Sequence, residues 1–282
     1  MNALNHAVTS AFDALLAPLE ALGRPLALIL VSGIFGVLAL LAFRQISWQK
    51  GIKAAKDKIK AHLIEIRIYQ DDLGIVTRAI GKVLLRNLQY LGLNLVPFVP
   101  LALPFAFVLA QLVVRYGFAP VPLSEGAVGA GRGTLIEVSL APGRADLVRG
   151  LEIALPEGLE PRSPLVRLPG EGRAFQEVVA RRAGAHEIAF SLSNGERATK
   201  VLAAGEGLRS MQPERGRGFL AALLWPAEDA FGSDSAFERI AFAYPESDLG
   251  WLPGGAGGVV IVFLAASMLF GALAIKPLGI EI

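Results

Sequence analysis

The chain has 282 residues, 53% of them hydrophobic, with a formal net charge of +2, three histidines and no cysteine. Its mean hydropathy of +0.51 is too high for an ordinary water-soluble protein. Disulfides, thiol nucleophiles and thiolate metal sites are excluded. His6, His62 and His186 stand too far apart to point to a histidine metal centre. The net charge averages two unlike regions. Residues 44–90 carry ten Lys/Arg against four Asp/Glu, whereas residues 115–255 carry fifteen against eighteen. The larger region therefore lacks the basic footprint of a DNA-binding domain.

Residues 1–23 hold no lysine or arginine, so they do not read as a signal peptide. Leu4, Ala7, Val8, Ala11, Phe12, Leu15, Leu16, Leu19 and Leu22 recur at helical spacing, which predicts an amphipathic helix in the membrane interface. The uncharged run Pro25–Phe43 follows, then a basic segment, then a second uncharged run, Leu91–Val114. A third apolar run covers Gly257–Ile275. Each is long enough to cross a hydrocarbon core, which takes roughly 20 residues at 1.5 Å rise. We expect spans at 24–43, 91–115 and 256–276.

Six of the eight lysines lie between Lys50 and Lys82. A short basic loop between two spans is cytosolic by the positive-inside rule. The N-terminus and the region 116–253 are then outside, and the tail 277–282, behind Lys276, is inside. A bacterial-type inner membrane fits that arrangement.

Within 44–90, Trp48, Ile52, Ala55, Ile59, Leu63 and Ile66 form one apolar seam at steps of three and four. Leu73, Val76, Ile80, Val83 and Asn87 form a second. Between them, in Gln70-Asp71-Asp72, an aspartate can cap the new helix. Two seams with a tight connection predict an antiparallel helical hairpin; the alternative is one long basic helix on the lipid surface. In the next span, Pro97, Pro100 and Pro104 free carbonyls near 93, 96 and 100. Asn94 and Gln111 are the strongly polar side chains there. The span is a kinked helix beside a hydrated cavity or a bent packing helix. Ser32/Gly36 and Ser267/Gly271 offer small residues at four-residue spacing, suited to close helix contact.

Residues 116–253 read as β. Thr134–Leu140, Leu151–Leu155, Phe175–Ala180 and Ile240–Tyr244 alternate. His186–Leu192 and Glu196–Leu202 flank Ser193-Asn194-Gly195, which predicts a hairpin with a type I′ turn. Short strands broken by Gly and Pro argue for a small sandwich. Phe219–Trp225 is a short apolar helix, either near the membrane or on the sandwich.

No catalytic constellation emerges, and a non-enzymatic protein without cofactor or metal is expected. Gly129-Ala130-Gly131-Arg132-Gly133 lacks the Gly-Lys-Ser/Thr ending of a phosphate loop and reads as a linker. Ser163, Ser191 and Ser193 have no nucleophile-elbow context. Asp71-Asp72 beside Glu65, and likewise Glu228-Asp229, read as solvated turns.

The order of an outside N-terminus, a first span, a basic helical hairpin and a proline-rich second span resembles the YidC/Oxa-type membrane insertase superfamily, especially its small three-span members. The resemblance covers about residues 24–116 and 256–276, and Asn87-Leu88-Gln89-Tyr90-Leu91-Gly92-Leu93-Asn94-Leu95-Val96-Pro97 adds to it. The β region lies outside it, and the first span lacks the positive residue usual in bacterial members. The resemblance implies a three-helix transmembrane bundle with a cytosolic hairpin, to which the strand pattern and the orientation add an extracytoplasmic β-sandwich-like domain. It also implies a polar groove for client segments lined by Ser32, Asn94 and Gln111, with Arg44 at its cytosolic mouth. Lys50, Lys53, Lys56, Lys58 and Lys60 would dock ribosomes, nascent membrane proteins or anionic lipid. The competing reading is a structural or adaptor protein that binds an envelope partner through its β domain.

Overall fold

The computed structural model describes residues 2–124, 133–206 and 210–280, without the side chains of 2–6. The glycine-rich stretch from Gly129 to Arg132 lies outside the described residues, as do the last two residues of the tail. The chain divides into two compact units. One comprises Met1–Leu28 and Ala106–Val262, the other Ile29–Phe105 and Phe263–Ile282.

The helices, in chain order, are α1 (Asn2–Glu20), α2 (Arg24–Ile46), α3 (Gln49–Ile68), α4 (Leu73–Leu95), α5 (Phe98–Tyr116), α6 (Gly218–Leu224) and α7 (Gly255–Leu278). Three helical stretches are long and apolar enough to cross a membrane: α2, the α4–α5 pair taken as one broken helix (Leu73–Tyr116), and α7. Length and composition of this kind are those of membrane spans. The second stretch differs from expectation in its boundaries. Helix α4 runs on to Leu95 and stops at Pro97, which has no amide to donate and crowds the preceding turn. Pro100 falls in the first turn of α5, where the amides are free anyway, and Pro104 alone sits in the interior of that helix.

In the unit containing Ile29–Phe105, the apolar segments of α2, α5 and α7 meet through Phe35, Phe105 and Phe263. Their ring centroids are 5.6 Å (Phe35–Phe105), 5.4 Å (Phe35–Phe263) and 4.8 Å (Phe105–Phe263) apart. Gly36 lies directly against the Ser267 backbone, where a Cβ would come within 2.2 Å of the carbonyl oxygen. Gly36 of one small-residue pair thus meets Ser267 and Gly271 of the other, and the close approach of the two backbones gains van der Waals contact.

Helices α3 and α4 pack along one another. Asp72 caps α4 as expected, its carboxylate accepting from the amides of Gly74 (2.9 Å) and Ile75 (3.1 Å). The seams are partly shifted. Ile52, Ala55, Ile59 and Ile66 face inward with His62, but Trp48 and Leu63 are exposed. On α4 the inward positions are Val76, Ala79, Val83 and Tyr90, while Leu73, Ile80 and Asn87 are exposed.

The other unit holds the strands β1 (Thr134–Leu140), β2 (Glu152–Ala154), β3 (Leu159–Pro161), β4 (Val166–Leu168), β5 (Arg173–Ala180), β6 (Gly184–Ser191), β7 (Arg197–Ala204), β8 (Glu214–Gly216) and β9 (Phe237–Phe242). They form a six-stranded sheet in the order β3-β5-β1-β9-β8, with β4 also on β5, and a three-stranded sheet β2-β6-β7. All these pairings are antiparallel. Ile136, Val138, Val178 and Ile240 of one sheet share a core with Ile188, Phe190 and Leu202 of the other. The hairpin β6–β7 pairs Ser191 with Arg197 and His186 with Leu202. Its turn is not type I′, because Gly195 alone has positive φ (+86°) and Asn194 does not. The Gly195 amide donates to the Leu192 carbonyl (3.0 Å), and the left-handed glycine then closes a three-residue loop.

Candidate functional site

The residues assigned to a groove fall in both units. Ser32 on α2 is fully buried, and Arg44 in the last turn of α2 is exposed. Asn94 sits one turn before the proline break. Its Nδ2 donates back to the Tyr90 carbonyl (2.8 Å). Its Oδ1 is buried and has no hydrogen-bond partner among the described residues. Such a group costs about 1–3 kcal/mol, so an acceptor left open in an apolar helix is an invitation to a donor.

Gln111 belongs to the other unit, and both ends of its amide are engaged there. Nε2 donates to Thr9 Oγ1 at 3.1 Å, and Oε1 accepts from the Arg115 guanidinium. Arg115, overlooked from sequence because it stands just past the uncharged run, is the centre of this cluster. Its side chain is 1% exposed and reaches Asp13 at 2.6 Å, with further bonds to the carbonyls of Thr9 and Gln111. Helix α1 is therefore not a helix on lipid alone: Thr9 and Asp13 hold it to α5, and Leu16 is buried. Glu20 adds a third tie by accepting from the Tyr116 hydroxyl at 3.1 Å.

The last carbonyls of α5, which the helix itself cannot satisfy, are taken by distant segments. Val114 accepts from the Met211 amide (2.7 Å), Arg115 from the Arg24 guanidinium (2.8 Å), and Tyr116 from the Ser247 hydroxyl. The end of α5 is thus joined to the sheet domain by capping bonds that carry no sequence signal.

On the hairpin, Lys50, Lys53, Lys58 and Lys60 are exposed, and Lys56 is half-buried. Glu65 links the two helices, with His62 Nδ1 at 2.9 Å and Lys82 Nζ at 3.7 Å. The His62 hydrogen bond, helped by the Lys82 charge and opposed by burial, holds the Glu65 carboxyl below its usual range.

No protein-family model, curated protein or solved structure matches the chain.

Two features of the sheet domain were also missed in the sequence. Glu228 is not a solvated turn residue. It pairs at 2.5 Å with Lys200, whose side chain is fully buried, donates to the Gln212 carbonyl (2.7 Å) and lies over the Phe242 ring. Burial pushes the Lys200 ammonium below its usual range against the pull of Glu228. Separately, an open cleft of about 380 Å³ is lined by Glu152, Ile153, Ala154, Leu165, Arg167, Gln176 and Ser191. Gln176 Oε1 is buried there without a partner among the described residues.

Proposed function

We propose that this protein assists the insertion or assembly of other membrane proteins without covalent chemistry, in the manner of YidC/Oxa-type insertases. The observation that carries the reading is Asn94. It presents an open, buried acceptor in the uncharged last turn of α4, just before a proline break, on the helix that pairs with the lysine-rich α3. An incoming segment pays a desolvation penalty for every unpaired donor it brings into lipid. A fixed acceptor lowers that penalty for one donor, and in this reading Ser32 and Arg44 are the further groove residues of the same unit. The exposed lysines of α3 supply the attraction for ribosomes, nascent chains or anionic headgroups. In this reading the hairpin is cytosolic, the N-terminus and the sheet domain are outside, and the membrane is a bacterial-type inner membrane.

Reconstitution with a short-tailed client protein tests it. Proteoliposomes should insert the client faster than empty liposomes, and Asn94→Leu should slow insertion about tenfold, the equivalent of 1.4 kcal/mol. No gain over empty liposomes would overturn the proposal. Gln111→Leu is a poorer probe, because it also strips a bond from Arg115.

The cleft at Glu152, Arg167 and Gln176 favours a second reading, an adaptor that holds an envelope partner by its sheet domain. In that case partners crosslink within residues 130–245, and replacing the hairpin lysines by glutamine leaves no phenotype.

A further inference from the structure

The seven residues of α6 are built the wrong way round for a helix on a soluble domain. On the side turned to the domain Ala222 is buried and Ala221 lies against Gly216, with Leu223 half-buried. Three large side chains point out, with Phe219 53%, Leu220 69% and Leu224 49% exposed. No charge occurs from Gly218 to Ala227. The charges on either side are bonded into the domain. Arg215 donates to the carbonyls of Asp229 and Thr199, Arg217 to those of Ser235 and Phe237, and Glu228 holds Lys200. An uncharged, outward-facing apolar patch of this kind marks a contact with something other than water.

What covers it follows from where α6 is attached. Trp225, which ends the helix, packs its ring 6.4 Å from that of Phe118, two residues past the end of α5. The patch therefore stands beside the point at which a membrane-length helix leaves its apolar run. A second large exposed aromatic, Trp251, 69% exposed, stands four residues before the start of α7. Tryptophan at the ends of spans is the pattern of the membrane–water interface, where an apolar ring with one polar edge is most stable.

We propose that α6 is a lipid anchor, lying in the interfacial layer of the bilayer with Phe219, Leu220 and Leu224 buried among the acyl chains nearest the headgroups. The anchor tethers the sheet domain to the membrane surface at the α5 exit, whichever side of the membrane that is. It rests on the reading that α5 and α7 cross the bilayer, and not on insertase activity.

The absence of cysteine makes the test direct. Full-length Leu220→Cys, carrying an environment-sensitive fluorophore, is reconstituted into vesicles of zwitterionic and anionic phospholipid with spin-labelled lipid quenchers. Met268→Cys, exposed on α7, and Val166→Cys, exposed on β4, are the membrane and water references. The label at 220 should emit to the blue of the label at 166 and be quenched best by lipids labelled near the headgroup, while the label at 268 responds best to deep quenchers. A label at 220 that behaves like the one at 166, while 268 is quenched, overturns the lipid anchor alone. An unquenched label at 268 overturns the spanning assignment as well. A 220–220 crosslink without quenching shows that a second copy covers α6, which also overturns the proposal.

Discussion

Replacing Asp13 by alanine should release α1 from α5. Arg115 makes five hydrogen bonds in this cluster, and two of them go to the Asp13 carboxylate, at 2.6 and 3.0 Å. Removing one partner of a fully buried ion pair costs about 3–5 kcal/mol, because the remaining charge is stranded. Asp13 is itself 40% exposed, and Arg115 keeps its bonds to the Thr9 and Gln111 carbonyls, so the lower range for bonds to a charged group applies. A loss of about 2 kcal/mol, roughly 30-fold in the opening equilibrium, is expected. Hydrogen exchange of the α1 amides in lipid nanodiscs measures it. Adding Arg115→Met to Asp13→Ala should restore part of the protection, because the stranded charge is gone. Unchanged α1 exchange in Asp13→Ala, or a double variant worse than the sum of its parts, would show that the Asp13–Arg115 pair does not hold α1.

Further outcomes follow from the same physics. Burial pushes the Glu137 carboxyl up, but hydrogen bonds and charge from Arg173 and Arg239 outweigh it and hold it below the ordinary range. Burial likewise raises Glu196, and bonds from the Ser235 hydroxyl and Ala236 amide outweigh that too. Carboxyls held low in the fold stabilise it above their unfolded pKa of about 4.3 and lose that contribution as pH falls towards their folded values. Thermal melts of the sheet domain in the full chain should therefore weaken below about pH 4.3, and Glu137→Gln should flatten the slope. Glu228→Gln leaves the Lys200 charge with the Gln212 carbonyl and the Phe242 ring, at a cost of about 3 kcal/mol. Because burial lowers the Lys200 pKa, the unfolded chain binds more protons, so this variant should recover stability as pH rises from 7 to about 10, near the ordinary lysine value; a flat melting profile would contradict the stranded lysine. Gly36→Val drives a side chain into the Ser267 backbone and should cost about 1–3 kcal/mol in detergent unfolding. Gly271→Ala, whose Cβ would sit 3.6 Å from the Gly36 carbonyl, should be tolerated, and equal losses at both positions would contradict the α2–α7 packing.

What could be read from sequence was what depends on neighbours in the chain. Uncharged length alone located the membrane-length helices, and period-two alternation gave β1 its true bounds, Thr134–Leu140. The Asp72 cap was legible because its partners are two and three residues away. The α3 seam was only half legible, since 3.6-residue geometry turned His62 inward where Leu63 was the more apolar choice. Asn-Gly signalled a hairpin correctly but not its turn, because Asn194 kept negative φ and bonded the Glu196 amide through its side chain. The partners of Arg115 and Lys200 could not be seen. Asp13 is 102 residues from Arg115, and Glu228 is 28 from Lys200, on elements that only folding brings together. Of the candidate site, Asn94 was visible as a polar residue in an apolar run, while its open acceptor required coordinates.

The function proposed for this protein turns on whether the surface around Asn94 receives hydrophobic segments of other proteins. Site-specific photocrosslinking from position 94 in living cells, set against a position on the sheet-domain surface such as Val166, tests it most directly. Adducts from 94 with newly made membrane proteins are expected, lost when translation is stopped. Adducts from 166 alone, with 94 reaching only lipid, would contradict it.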